Sequence, residues 1–159
     1  MSPEQLMQEA LIEAKLAATQ GEVPVGAILV LPDHSLLRAH NTKEHTANPT
    51  DHAEMRIMKE AANRLGDWRL DQCDLYVTLE PCPMCLGTML QTRLRTLYFG
   101  ASDPKRSPGD WQKGNSTLVW PTLKYMDSMQ GNNHELQIRG GYLENDCAQL
   151  LKEFFALRR

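Results

Sequence analysis

An α/β fold, with helices laid on the faces of one sheet, is what this sequence predicts. Three observations carry the expectation. Strand-like and helix-like segments alternate along the chain, Val23 to Leu31 is an uncharged apolar run of the kind buried on both faces of a sheet, and 159 residues suffice for one ordinary core but not for two. A single domain over residues 1–159 is therefore expected. Hydrophobic residues make up 42% and charged residues 23%, which excludes the composition of a disordered chain.

Taken in order, Ser2-Pro3-Glu4-Gln5 forms a capping box with proline at the first helical position. Leu6, Ala10, Leu11, Ala14 and Ala18 follow at helical spacing, so a first helix should run to Gly21. The strand Val23 to Leu31 ends in a Pro32-Asp33 turn, and Leu36 to Ala39 can return beside it. Asn41 to Thr50 is polar and reads as a loop. Asp51 can cap a helix from His52 to about Arg64, closed by Gly66. Asp74 to Leu79 is rich enough in β-branched and aromatic residues for a central strand, stopped by Glu80-Pro81. A helix from about Pro83 to Thr92 and a strand from Thr96 to Phe99 come next. Residues 101–134 hold Pro104, Pro108, Gly109, Gly114, Pro121 and Gly131, keep no lasting apolar period, and read as loop with one short helix at Thr122 to Met129. Leu136 to Arg139 can add a last strand, and Leu143, Cys147, Leu150, Leu151, Phe154 and Phe155 stripe a terminal helix.

Charge and cysteine usage narrow the function classes. The net charge of −3 gives no overall attraction to nucleic acid, yet residues 1–90 carry 7 basic and 13 acidic groups while residues 91–159 carry 10 and 7. A polyanion would be met by the C-terminal half. No run of about 18 apolar residues exists, and the N-terminus lacks a basic start with an apolar core, so neither a membrane span nor a secretion signal is expected. Four cysteines, two of them as Cys82-x-x-Cys85, then point to metal or redox chemistry in a reducing cytoplasm rather than to structural disulfides.

His52, Cys82 and Cys85 form the donor set of a catalytic zinc site: three protein ligands of nitrogen and sulfur, with a fourth position left for water. Both cysteines stand at the start of a predicted helix, where unpaired backbone N–H groups and the dipole favour thiolate. Glu54, two residues past His52, is placed to lie near the bound water and to shuttle protons. Zinc lowers the pKa of its water toward about 7, which makes hydroxide available as a nucleophile. Each piece alone has a plainer reading. Glu54 could complete an Asp51-x-x-Glu54 capping box, His52 could be a polar helix start, and Cys82-x-x-Cys85 could be a redox pair or half of a four-cysteine zinc site. One site accounts for both motifs; the redox reading leaves His52-x-Glu54 unexplained.

His-x-Glu followed by Pro-Cys-x-x-Cys resembles the signature of the zinc-dependent cytidine and nucleobase deaminases. More closely, Glu22-Val23-Pro24-Val25-Gly26-Ala27, Asn41, His52-Ala53-Glu54, Leu75 to Cys82, Met84-Cys85 and Phe99-Gly100-Ala101 resemble the bacterial tRNA adenosine deaminases, from about residue 5 to Lys105 and again from Gly141 to Arg159. The resemblance implies a cytidine-deaminase-like three-layer α/β/α sandwich around a mixed five-stranded sheet. It also implies one Zn2+ per subunit, a homodimer, and conversion of adenosine to inosine at the wobble position of a tRNA anticodon loop. Matched residue by residue, His52, Cys82 and Cys85 correspond to the zinc ligands and Glu54 to the proton shuttle. Asn41 corresponds to a nucleoside contact, Val25 and Ala53 to the base pocket, Asp103 and Lys105 to a loop near the flipped nucleotide, and Arg158-Arg159 to a basic end near the RNA. Residues 106–134, with Trp111 and Trp120, depart from that pattern. This keeps open a deaminase of a free nucleobase or nucleoside of guanine, cytosine or adenosine type, since exposed tryptophans could stack on unpaired bases or lid a small pocket.

Overall fold

The computed structural model describes residues 1–103 and 136–158. The first helix, α1 (Pro3–Thr19), is capped as its sequence requires. The Ser2 hydroxyl accepts from the Gln5 backbone N–H at 3.2 Å, and the Gln5 side chain accepts from the Ser2 N–H at 2.8 Å. Gln20 ends the helix and Gly21 follows at φ +76°, a conformation that favours glycine.

Strand β1 (Gly26–Val30) pairs antiparallel with β2 (Leu36–His40) on one side and with β3 (Asp74–Leu79) on the other. Strand β3 pairs parallel with β4 (Thr96–Ala101), and β4 parallel with β5 (Gln137–Arg139). The result is a mixed five-stranded sheet of order β2-β1-β3-β4-β5, as expected. Parallel neighbours need a crossover. Between β3 and β4 it is supplied by α4 (Pro83–Gln91), and α3 (Ala53–Leu65) links β2 to β3.

Alternation along the strands divides the core in two. Ala27, Leu29, Leu75, Val77, Leu97 and Phe99 face α3 and α4, whose Ile57, Met58, Leu86 and Met89 are buried against them. Ile28 and Tyr76 face the other way, toward Leu6, Met7, Ala10 and Leu11 of α1 and Cys147 of α5 (Glu144–Ala156). On that side the rings of Tyr76 and Tyr98 stack with centroids 4.3 Å apart, and Tyr142 meets Tyr98 edge-on. Helices thus cover both faces, and the three-layer sandwich expected from the sequence is present.

Helix α1 lies unusually close to β1. A Cβ added at Gly26 would fall on the Ala10 carbonyl oxygen and the Ala14 nitrogen, so only glycine lets helix and strand approach this far. The Gly26 N–H donates to Thr78 Oγ1 at 3.1 Å and ties β1 to β3 across 52 residues of chain.

Three local expectations differ from the structure. The ladder starts at Gly26 rather than Val23, because Pro24 has no N–H to pair; Val25 is buried nonetheless. Asp51 does not cap α3, since its carboxylate accepts the Thr46 hydroxyl at 2.6 Å and His52 takes the N-cap position itself. Within the expected loop 41–50 a four-residue helix forms, α2 (Lys43–Thr46). The expected helix Thr122–Met129 lies outside the described residues. Among the described residues no helix is long and apolar enough to cross a membrane.

Candidate metal centre and active site

Two helix N-termini meet at one end of the sheet. His52 is the N-cap of α3, Cys82 the N-cap of α4, and Cys85 lies in the first turn of α4. The His52 side chain makes no capping bond to α3, and the Cys82 sulfur lies against Cys85 in the first turn of α4, so the side chains of both N-caps converge on one point. Helices α3 and α4 pack side by side on the same sheet face, which brings together residues 30 positions apart in sequence.

The convergence is close. His52 Nδ1 lies 3.6 Å from Cys82 Sγ and 3.6 Å from Cys85 Sγ, and the two sulfurs are 3.5 Å apart. Tetrahedral zinc, with Zn–S near 2.3 Å and Zn–N near 2.0–2.1 Å, sets neighbouring ligand atoms about 3.8 Å apart for two sulfurs and about 3.6 Å apart for sulfur and nitrogen. The three donors fit that ion and use one imidazole nitrogen, Nδ1. Among the described residues they are the group of histidine, cysteine or acidic side chains close enough to hold a metal. Cys85 is buried while His52 and Cys82 are partly exposed, so the fourth position opens on their side.

Electrostatics at the cluster suit a cation. The Cys85 thiol bonded to it, then the His52 ring and the Cys85 backbone N–H, bring the Cys82 thiol down to about 3 despite the opposing effect of burial. The same contact with Cys82, together with burial, pushes Cys85 up. The hydrogen bond to Cys82 raises His52. Two sulfurs sharing one proton describe the metal-free pair, and a cation that displaces the proton makes both thiolates.

Glu54 sits in the first turn of α3, 4% exposed, against Cys85 and close enough to His52 to feel its charge. Burial raises its carboxyl above the usual range. Ala53 beside it is fully buried, and Val25 is 8% exposed. Asn41, also buried, leaves the end of β2 and is fastened to Val25 by a bond from its N–H to the Val25 carbonyl at 3.1 Å. The next residue, Thr42, donates its N–H to the Asp51 carbonyl at 3.1 Å, immediately before His52. Val25, Asn41, Ala53 and Glu54 are therefore joined to the donor cluster through short backbone links.

Asp103 is placed by Glu80, whose buried Oε2 accepts the Asp103 N–H at 2.8 Å just past the end of β4. Lys105 and Arg159 lie outside the described residues. Arg158 is exposed, and its guanidinium stacks on the Phe154 ring at 3.6 Å. Sequence reasoning assigned no part to Glu22 or Glu80, two buried carboxylates that hold the segments carrying Asn41 and Asp103. The available signal was an isolated acidic residue at the end of an apolar strand, where a buried charge needs a partner.

These features define a deaminase: the chain belongs to the MafB19-like deaminase family, whose model matches residues 1–159. Among individual proteins, it is 41% identical over 149 residues to the tRNA-specific adenosine deaminase of Bacillus subtilis, a match that covers 94% of this chain and 86% of that one. A structure solved in work on A-to-I editing by tRNA:A34 deaminases at the wobble position of transfer RNA superimposes with a TM-score of 0.76 at 36% identity, covering 92% of this chain and 99% of that one. The guanine deaminase of Nitrosomonas europaea shares the fold, with a TM-score of 0.76 at 21% identity over 98% of this chain and 85% of that one.

Proposed function

We propose that this chain is a zinc-dependent hydrolytic deaminase that converts adenosine to inosine at the wobble position of a tRNA anticodon loop. The observation that carries the chemistry is a buried Glu54 set against a cluster of three donors with tetrahedral spacing. The substrate assignment is supported by the 41% identity to a tRNA-specific adenosine deaminase.

His52, Cys82 and Cys85 would hold the zinc, which when bound supplies a Lewis acid that makes water a nucleophile near neutral pH. Deamination forms a C–O bond from water, breaks the C–N bond and releases ammonia. Glu54 takes the first proton of the water on a carboxylate oxygen and passes it to a ring nitrogen. It then carries the second to the amine, which must leave as ammonia because an amide anion is too basic. The elevated carboxyl of Glu54 suits a group that is protonated and deprotonated in each cycle. Asn41, Val25 and Ala53 would hold the extruded base, and Asp103 with Lys105 the neighbouring backbone. Function as a cytoplasmic homodimer with one zinc per subunit belongs to the same reading.

Ammonia release from an anticodon stem-loop with A at the wobble position, compared with free adenosine, guanine and cytosine, tests the proposal. Turnover of the stem-loop well above the free compounds is expected. An inert stem-loop beside a rapidly deaminated free base would overturn it in favour of the small-molecule alternative.

A further inference from the structure

Glu22 is fully buried, and among the described residues the ion pair it makes is with His45, 3.4 Å away. Its two carboxylate oxygens divide between successive backbone groups: Oε1 accepts the Glu44 N–H at 2.9 Å and Oε2 accepts the His45 N–H at 2.8 Å. Glu44 and His45 are the second and third residues of α2, and the N-cap Thr42 gives α2 no side-chain bond. A carboxylate 22 residues upstream thus fills the N-cap role and places its charge at the positive end of the helix.

Besides Glu22, α2 is tied to the chain before His52 by Asp51, whose carboxylate accepts the Thr46 hydroxyl at 2.6 Å and whose carbonyl accepts the Thr42 N–H at 3.1 Å. The helix has four residues, none of them buried, and a single turn has no stability of its own in water. Its first residue orients Asn41, because the Lys43 N–H donates to Asn41 Oδ1 at 3.2 Å, while Asn41 Nδ2 points at the Val23 carbonyl at 3.5 Å. The links run from Glu22 to the α2 turn, from the turn to Lys43 N–H, and from there to the Asn41 amide. We propose that Glu22 is the positioning residue for Asn41: by pinning α2 it fixes the direction of the Asn41 amide, and so sets the affinity for the nucleoside rather than the rate of the bond-breaking step. The proposal rests on the reading of Asn41 as a nucleoside contact given above.

The test measures kcat and KM on the anticodon stem-loop, zinc content, and backbone amide exchange for zinc-loaded wild type, Glu22→Gln, Glu22→Ala and Asn41→Ala, and for Glu22→Gln combined with Asn41→Ala. Glu22→Gln keeps the shape and one acceptor, so it is expected to fold, bind zinc as wild type does, and raise KM about tenfold while kcat moves by less than about threefold. In the Asn41→Ala background the same change should raise KM no further, since the two act as one unit. Losses that multiply in the double variant, or a fall in kcat at unchanged KM, would overturn the proposal. Faster exchange of the Glu44 and His45 amides in Glu22→Ala is expected whatever the substrate, and unchanged exchange would also overturn it. A stem-loop left untouched by the wild type would instead count against the substrate assignment, with amide exchange still deciding the part played by Glu22.

Discussion

Replacing Glu54 by glutamine separates proton transfer from metal binding. The amide is nearly isosteric with the carboxyl, so it fits the same buried position, but it cannot take a proton from water and give it up again. Transfer by one positioned side chain contributes roughly 10²–10⁴ in rate. Because Glu54 is, among the described residues, the buried carboxyl that lies against the donor cluster, activity should fall at least about 10³-fold if it carries both transfers. Zinc content should stay near about one per chain, since the three donors are His52, Cys82 and Cys85. Thermal stability should hold or rise: burial opposes the charge on Glu54, and a neutral side chain removes that opposition. Ammonia release, metal analysis and a thermal melt of the same preparation read all three. A variant that keeps a tenth of wild-type activity with its zinc in place would refute the role of Glu54 in proton transfer.

Other outcomes follow from the packing and the charges. Gly26→Ala should destabilise the protein by about 1–3 kcal/mol or more, because the obstructing atoms are backbone of α1 and cannot rotate away; a urea midpoint equal to wild type would contradict the close helix–strand approach. For Glu22, burial would raise the carboxyl, but the Glu44 and His45 bonds outweigh it and hold it below the usual range. A carboxyl lowered on folding stabilises above its unfolded pKa and loses that effect as pH falls through the folded value. The stability gap between wild type and Glu22→Gln should thus be largest near neutrality and shrink below about pH 4.5, and a gap independent of pH would contradict this. Stripping the metal should lower the melting temperature and let Cys82 be alkylated. Cys73 and Cys147 should stay unreactive in the folded protein, because burial pushes their thiols up to about 11 and about 12.

Much of this was legible wherever the chemistry is local. The Ser2 capping box, the central strand at Asp74–Leu79 and the His52, Cys82 and Cys85 donor set each stand in a few consecutive residues, and the structure has all of them. What could not be read depends on partners far along the chain. Helix α2 is invisible in Asn41 to Thr50 because the group that caps it comes from Glu22. Asp51 has the right residue type and position for a cap, yet the Thr46 hydroxyl on the folded-back loop captures it first. At Val23 to Val25 burial and strand pairing part company: Val25 is covered and its carbonyl accepts from Asn41 just past the end of β2, but the ladder goes no further toward Pro24.

The order of strands also has a kinetic consequence. The hairpin β1-β2 and the crossover β3-α4-β4 each close over short stretches of chain, whereas the β1-β3 seam joins residues such as Gly26 and Thr78 that are 52 positions apart. Such a seam carries a large loop-closure cost and should form late. His52 follows the strands on one side of it, and Cys82 and Cys85 follow β3 on the other. A cation held by all three would strap this late-forming seam, so its removal should hasten unfolding more than it delays folding.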